Sequence, residues 1–398
     1  MGILDIDSIF SDLLSAEGAG IIALGLVIAF MVAIFIAISA GWFRIILSIA
    51  SFAYPAARVR AIGNPLITRE GVESIVASAD LLDLFERAEH FGHHLGYREG
   101  LSADDCEHLI RSYHYRLLGD LAGSVPDAIR PLITAYTQIF ATREVAAILR
   151  GIAGNLPRDL IMERAVPVGG LSITAIRKAA HADTIEEAVQ RLERSGITPG
   201  IREQWMRIGE PVGFAAFEAA LVGGAYQSLM MTARGIEDSQ YEPAVMMAGR
   251  MIDCENLRIL ARGKIAHVDG NDLIPFLIPQ GGFEITIGLQ KELARTTDLI
   301  EMAAALRDTM YGRYFEPLVE GGIRKRHSGE IEIALNRCLL DVGRMNSSQY
   351  HLGSGPIIRY LLALEMEIAN LGAAAGRLIL GIGEETGAAI MVTEGGVP

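Results

Sequence analysis

The chain has 398 residues, 51% of them hydrophobic, and its 35 Lys+Arg against 48 Asp+Glu give a formal net charge of −13. That length suits two or three average domains, and the acidic balance argues against a nucleic-acid partner, whose phosphates would meet surplus carboxylates. Cys106, Cys254 and Cys338 form no CxxC pair, which argues against a disulfide framework or a structural zinc site and fits a reducing compartment for most of the chain.

The first 17 residues are acidic, with Asp5, Asp7, Asp12 and Glu17. Residues 18–43, "GAGIIALGLVIAFMVAIFIAISAGWF", then carry no charge at all. About 20 apolar residues suffice for a helix to cross a bilayer. A signal peptide would want a basic start and a short apolar core, so an uncleaved transmembrane helix is expected over 18–43. Arg44, Arg58 and Arg60 follow this segment and no Lys or Arg precedes it. The positive-inside rule therefore puts residues 1–17 outside and the bulk of the chain in the cytoplasm, giving a single-pass protein of the cell membrane. Trp42 and Phe43 fall where interfacial aromatic residues would sit.

Beyond Tyr54 the pattern is helical. Apolar residues recur every three to four positions in 71–91, 182–194, 296–315 and 355–372. Ser102 with Asp105, in "SADD", marks an N-cap. "GNLPRD", "SGITPG" and "GNDLIP" break the helical pattern. No alternating stretch is long enough for a sheet, so the predicted class is all-α.

A repeat organises this region. "ILRGIAGNLPRDLIMERAVPVGGLSIT" (148–174) aligns with "LARGKIAHVDGNDLIPFLIPQGGFEIT" (260–286) at an offset of 112, with matches at seven positions from Arg150/Arg262 to Thr174/Thr286. Its physical content is a helix ending near Arg-Gly, a short helix, and a Pro-x-Gly-Gly turn opening another helix. A positive φ is assigned to Gly170 and Gly282, so valine at either should destabilise alike. Fainter copies are "ARVRAIGNPLI" (57–67) and "EIANLGAAAGRLILGIG" (367–383). The expected organisation is three units, roughly 52–150, 151–262 and 263–385, followed by a tail, 386–398.

Candidate chemistry is sparse. "MIDCENLRILARGK" (251–264) puts Asp253, Leu257, Leu260 and Lys264 on one helical stripe and Glu255, Arg258 and Arg262 on another. Acids lie toward the N-terminal end and bases toward the C-terminal end, as the helix dipole favours. This reads as architecture rather than a catalytic dyad. His90 and His94 of "EHFGHHLG" share a helical face and could hold a metal, but no Cys or HExxH pattern supports it. "GIGEETG" (381–387) lacks the Lys-Ser/Thr of a phosphate loop and reads better as another Arg-Gly joint, so the isolated chain is expected not to bind ATP tightly. "GIRKRHSGE" (322–330) is the densest basic patch, open to an acidic partner or lipid head groups.

Taken in order, "AYPAARVRAIGNPLI", "CENLRILARGK", "LIPQGGFEI" and "GPIIRYLLALEMEIANLGAAAGRL" resemble the C subunit of the archaeal A-type ATP synthase, similar to the d subunit of the eukaryotic V-type ATPase (the AC39 family), over roughly residues 52–385. The resemblance implies an all-helical funnel of three domains around a pseudo-threefold axis. It implies a seat on the membrane rotor ring that receives the foot of the central shaft (the D and F subunits), with no catalytic, cofactor or metal site of its own. "EIANLGAAAGRL" departs from the more charged run of relatives, and most relatives lack a membrane span. An anchor on a rotor subunit must turn with it, and one solution places the helix in the ring's central hole. A membrane-anchored helical scaffold or enzyme, with His90/His94 or 381–387 as its chemistry, stays open as the second reading.

Overall fold

The computed structural model describes residues 16–98, 100–198, 200–209, 213–236, 240–279, 281–320 and 328–394. The chain divides into two compact units, Met1–Tyr54 and Pro55–Pro398. Helix α1, Ala16–Ile62, supplies the described residues of the first unit and the start of the second. Leu24, Phe30, Met31 and Phe35 along it are 60–71% exposed.

Among the described residues no helix is long and apolar enough to cross a membrane. Within the expected span of 18–43, several side chains lie outside the described ones. The transmembrane expectation is therefore not met by the described residues, and the expected N-terminal segment 1–17 lies almost wholly outside them.

The second unit carries helices joined by turns and no strand among its described residues, with one isolated bridge between Val168 and Leu171. After a 3-10 turn at Pro65–Ile67 come α2 (Arg69–Val76), α3 (Leu81–His90), α4 (Ala103–Ser124), α5 (Arg130–Ala153), α6 (Arg158–Arg164), α7 (Ile173–Ala180), α8 (Ile185–Arg194) and α9 (Ile201–Gln204). Then follow α10 (Phe214–Arg234), α11 (Tyr241–Ile265), α12 (Gly270–Leu273), α13 (Ile287–Arg295), α14 (Leu299–Ala305), α15 (Gly312–Glu320), α16 (Ser328–Gln349), α17 (Gly355–Leu380) and α18 (Glu384–Ala389).

Caps set many of these boundaries. Ser102 and Asp105 form the expected capping box at the start of α4, each satisfying the other's backbone N–H. The periodic stretches 71–91 and 296–315 are each two helices rather than one. In the first, Asp80 accepts the Asp83 N–H at 2.9 Å and starts α3 afresh.

Three helical hairpins, α2–α3, α7–α8 and α13–α14, share one capping scheme. Thr68, Ser172 and Thr286 cap the first helices through Gly71, Ala175 and Leu289 N–H. Asp80, Thr184 and Asp298 cap the second through Asp83, Glu187 and Glu301 N–H. The acids at those last positions reach back to the N–H of Ala79, Asp183 and Thr297. Each hairpin thus repeats the same answer to the unpaired N–H groups at a helix start.

Among the described residues the long helices close a circuit. α4 packs on α5, α5 on α10, α10 on α11, α11 on α16, α16 on α17, and α17 returns to α4. Fully buried Leu118, Tyr136, Phe217, Leu257, Leu335 and Leu361 fill its contacts, at roughly 1.5–3 kcal/mol of apolar transfer each. One core cluster joins Leu66, Ile75, Leu84 and Ile110 to Leu371, Ala374 and Met391, so the beginning and end of this unit share a core. The boundaries drawn from sequence at 150/151 and 262/263 fall inside the last turns of α5 and α11.

Candidate functional site in the polar joints

A single contact recurs on three long helices. A side chain of α5, α11 or α17 accepts the backbone N–H of the residue 22 positions later. Glu144 takes Val166 N–H at 3.1 Å, Asn256 takes Ile278 N–H at 2.8 Å and Asn370 takes Val392 N–H at 2.8 Å. All three side chains are buried. Each ties the end of its helix to the chain that leads into the next joint, and each satisfies a group that would be costly to bury unpaired. Asn returns a bond through its amide, to Ile278 O and to Val392 O. Glu144 cannot, and its charge is met instead by Arg111 at 2.5 Å and the Tyr115 hydroxyl at 2.8 Å. The Asn-Leu pairs at 256–257 and 370–371 were the signal available in sequence.

The helix ends also match. Asn155, His267 and Gly381 adopt positive φ of 53°, 55° and 65°. The following N–H groups of Leu156, Val268 and Ile382 close on Gly151, Gly263 and Arg377 carbonyls at 2.9 Å. This is the Schellman arrangement, and it accounts for "GIGEETG" as a joint: Gly381 is a helix C-cap, and the helix that follows opens with Glu384 and Glu385.

The turn between the copies departs from expectation in two ways. Positive φ belongs to Gly169 and Gly281, at 55° and 67°, not to Gly170 and Gly282. Ser172 and Thr286 are the equivalent N-caps. The second turn therefore carries two more residues, and the Ile173/Ile285 and Thr174/Thr286 matches do not align in space. In the short copy Val168 and Leu171 pair with each other. In the long copy Asp253 serves the extra backbone, accepting the N–H groups of Phe283, Glu284 and Ile285 at 3.1, 2.8 and 3.1 Å and the Tyr311 hydroxyl at 2.7 Å. The position equivalent to Asp253 in the short copy is Ala141, which has no such backbone to serve. In the last copy it is Glu367, which accepts Leu66 N–H and the Asn64 amide, both at 2.8 Å.

The second stripe of 251–264 joins a belt of charges between helices. Glu255 pairs with Arg258 at 2.5 Å, and Arg258 and Arg262 both reach Glu332 on α16 at 2.7 Å. Arg143 of α5 donates to the Tyr226 hydroxyl of α10 at 2.9 Å, and Tyr136 donates to Glu365 of α17 at 2.7 Å. Burial pushes the Tyr226 and Tyr136 phenols well above their ordinary range. The guanidinium of Arg143 is held charged by Tyr226, against the cost of burial, and by Glu365 and Glu255. These are groups paired with one another across helices. They tie the circuit together and present no poised acid and base. Lys264, on the first stripe, caps the end of α13 through Ala294 and Thr296 carbonyls.

His90 and His94 are not on one helical face, because α3 stops at His90. His94 bonds Glu89 at 3.0 Å, and His93 is buried between Tyr113 and Glu367. Among the described residues no group of His, Cys, Asp and Glu could hold a metal ion. All three cysteines are free and buried. Cys254 and Cys338, distant in sequence, meet across α11 and α16, and that contact and burial push the Cys254 thiol far up. Residues 322–327 of the basic run lie outside the described ones.

His114 on α4 is the one strongly shifted imidazole among the described residues. It is 4% exposed and packs edge-on against Phe140 at 4.9 Å. Burial, with Arg143 nearby, lowers its pKa to about 4. The unfolded chain then binds this proton from about pH 6.5 downward while the folded one refuses it. Stability is therefore full above pH 6.5 and falls as the pH drops toward 4, by up to about 3 kcal/mol from this group. His114→Phe keeps the ring contact and should flatten that slope in denaturant melts at stepped pH; an unchanged slope would contradict the assignment.

Residues 55–386 match the family model described as ATP synthase (C/AC39) subunit. Similar proteins include the A-type ATP synthase C subunit of Methanocaldococcus jannaschii, 22% identical over 83% of this chain and 83% of that one. Those of Methanothermobacter thermautotrophicus, 24% identical over 82% of this chain and 84% of that one, and Thermococcus kodakarensis, 24% identical over 84% and 88%, are also similar.

Proposed function

The chain belongs to the ATP synthase (C/AC39) subunit family, and from that premise we propose that it is the non-catalytic central-stalk subunit of an A-type ATP synthase. As a family member it is a structural part of an ATP synthase complex rather than a catalytic enzyme. In the proposed role it links the membrane rotor ring to the central shaft, made of the D and F subunits, and so couples ion translocation to ATP synthesis or hydrolysis. The observation that carries this reading is the closed helical circuit with the same polar joint on α5, α11 and α17. A coupling part must pass torque without yielding, and buried, mutually satisfied polar ties between helices resist shear where apolar contacts alone slide. The recurrence also supports three pseudo-equivalent helical domains set as a funnel.

We further infer that residues 18–43 anchor the chain as a single membrane pass, with residues 1–17 outside and the remainder cytoplasmic. Support comes from the uncharged run, from the arginines that follow it, and from the exposure of every described side chain over 23–36. Such a helix must turn with the rotor, and one solution places it on the axis, in the central hole of the ring.

Purification of the tagged full-length chain in mild detergent, with identification of what accompanies it, tests both readings. Ring and shaft subunits should co-purify. Recovery of the chain alone, with metal or nucleotide bound, would favour an unrelated membrane-anchored scaffold or enzyme. For the anchor, cysteine labelling in sealed vesicles should reach position 5 from outside and position 58 only from the cytoplasmic side. Equal protection of the two, or release of the chain by alkaline carbonate, would remove the span.

A further inference from the structure

Two of the polar joints are made within continuous chain, from Val166 to Leu171 and from Ile278 to Ile285. The joint on α17 is not. It is assembled from both ends of the second unit, Asn64–Ile67 on one side and Met391–Glu394 on the other. The end of the chain reproduces what the continuous joints contain. Glu394 N–H donates to Ile67 O at 2.7 Å, as Val168 N–H does to Leu171 O at 3.2 Å and Gly282 N–H to Ile285 O at 3.3 Å. Asn370 accepts Val392 N–H at 2.8 Å and donates to both Val392 O at 2.7 Å and Leu66 O at 2.9 Å. Met391 and Val392 are each 2% exposed, and the Glu394 carboxylate pairs with Arg359 at 2.7 Å. Residues 391–394 of the expected tail at 386–398 thus take part in a joint.

We propose that residues 391–394 are a clasp whose release opens the helical circuit at its α17 joint while the other two stay shut. The α5 and α11 joints close between residues near in sequence, whereas residues 391–394 close on Asn64–Ile67 from the far side of the unit, joined to α17 through α18, six residues long. A contact between segments so distant in sequence costs more chain entropy to hold, so this joint opens at a lower free energy than the other two. What the clasp covers is polar: the Ile67 carbonyl and both functions of the Asn370 side-chain amide. Its departure therefore loosens the hold of α17 on the α2–α3 hairpin and leaves the hairpin's own caps intact. The proposal does not depend on the partner assigned above.

Amide hydrogen exchange resolved to single residues tests it on the chain ending at Ile390. Exchange at Leu66, Thr68 and Val72 should accelerate on the order of tenfold or more, the scale of losing two or three buried hydrogen bonds. Val166 and Ile278 should keep their protection, and a synthetic peptide of residues 384–398 added in trans should restore the slow rates. Arg359→Gln in the full-length chain removes only the outer ion pair, so it should give a smaller acceleration at the same amides even if the truncated chain folds poorly. Equal loss at all three joints in either variant, no change at Leu66 in either, or failure of the peptide to restore protection would overturn the clasp.

Discussion

Gly282→Val is expected to lower stability by more than about 3 kcal/mol while Gly170→Val stays within about 1 kcal/mol of the parent. The two glycines occupy the same place in the Pro-x-Gly-Gly repeat, yet their surroundings differ. A Cβ on Gly282 would lie 2.0 Å from Oδ1 of Asp253 and 2.4 Å from the Gly249 carbonyl, whereas nothing lies within 4 Å of one on Gly170. The Gly249 carbonyl is part of α11 and cannot step aside without breaking the helix, and Asp253 is held by four donors. Valine there must push the turn off α11 altogether. Paired denaturant melts decide the matter; similar losses at both positions would mean that the two turns are built alike and that the two-residue difference between them is wrong.

Asp253→Ala should cost about 3–5 kcal/mol. It strands the N–H groups of Phe283, Glu284 and Ile285 and the Tyr311 hydroxyl in a site where residue 253 is 0% exposed. Each buried donor left without an acceptor costs ~1–3 kcal/mol, and the sum is reduced because the desolvated charge disappears with it. Asp253→Asn, which keeps one acceptor of the right length, should recover about half of the loss. Burial is also the main cause that pushes the Asp253 carboxyl pKa up, against the bonds it accepts from the turn and Tyr311. The folded chain then holds this proton to higher pH than the unfolded chain, so stability from this group falls as pH rises through the folded value. The asparagine variant should lose that slope. A near-neutral alanine variant would show that the turn does not depend on Asp253.

Much of this was legible because it is local or periodic. The helical class followed from three-to-four spacing, and the start of α4 from Ser102 and Asp105, which need only each other. The Arg-Gly joint was visible because Gly151 and Gly263 lie against Ile161 and Leu273, which a Cβ would approach to 3.0 and 2.4 Å. What stayed hidden depends on a residue's neighbours in space. Which glycine of each pair takes positive φ is set by turn length, and the turns differ by two residues that chance identities at Ile173/Ile285 and Thr174/Thr286 concealed. Asp253 read as one end of a helix dipole, since its partners lie some 30 residues on. His93 stood unremarked between the two candidate histidines and is a buried link to Glu367 on the last long helix. The 22-residue tie was within reach of sequence, because Asn256 and Asn370 stand in the same Asn-Leu pair. The copy on α5 has Glu144 there, which broke the pattern for a reader of letters but not for the backbone it serves.

Mechanical coupling is checked by reconstituting the ATP synthase into sealed vesicles with and without this chain. ATP hydrolysis by the catalytic head should persist in both preparations, while ATP-driven ion uptake should be lost without the chain and return when it is added back. Ion uptake that proceeds equally well in its absence would contradict the account.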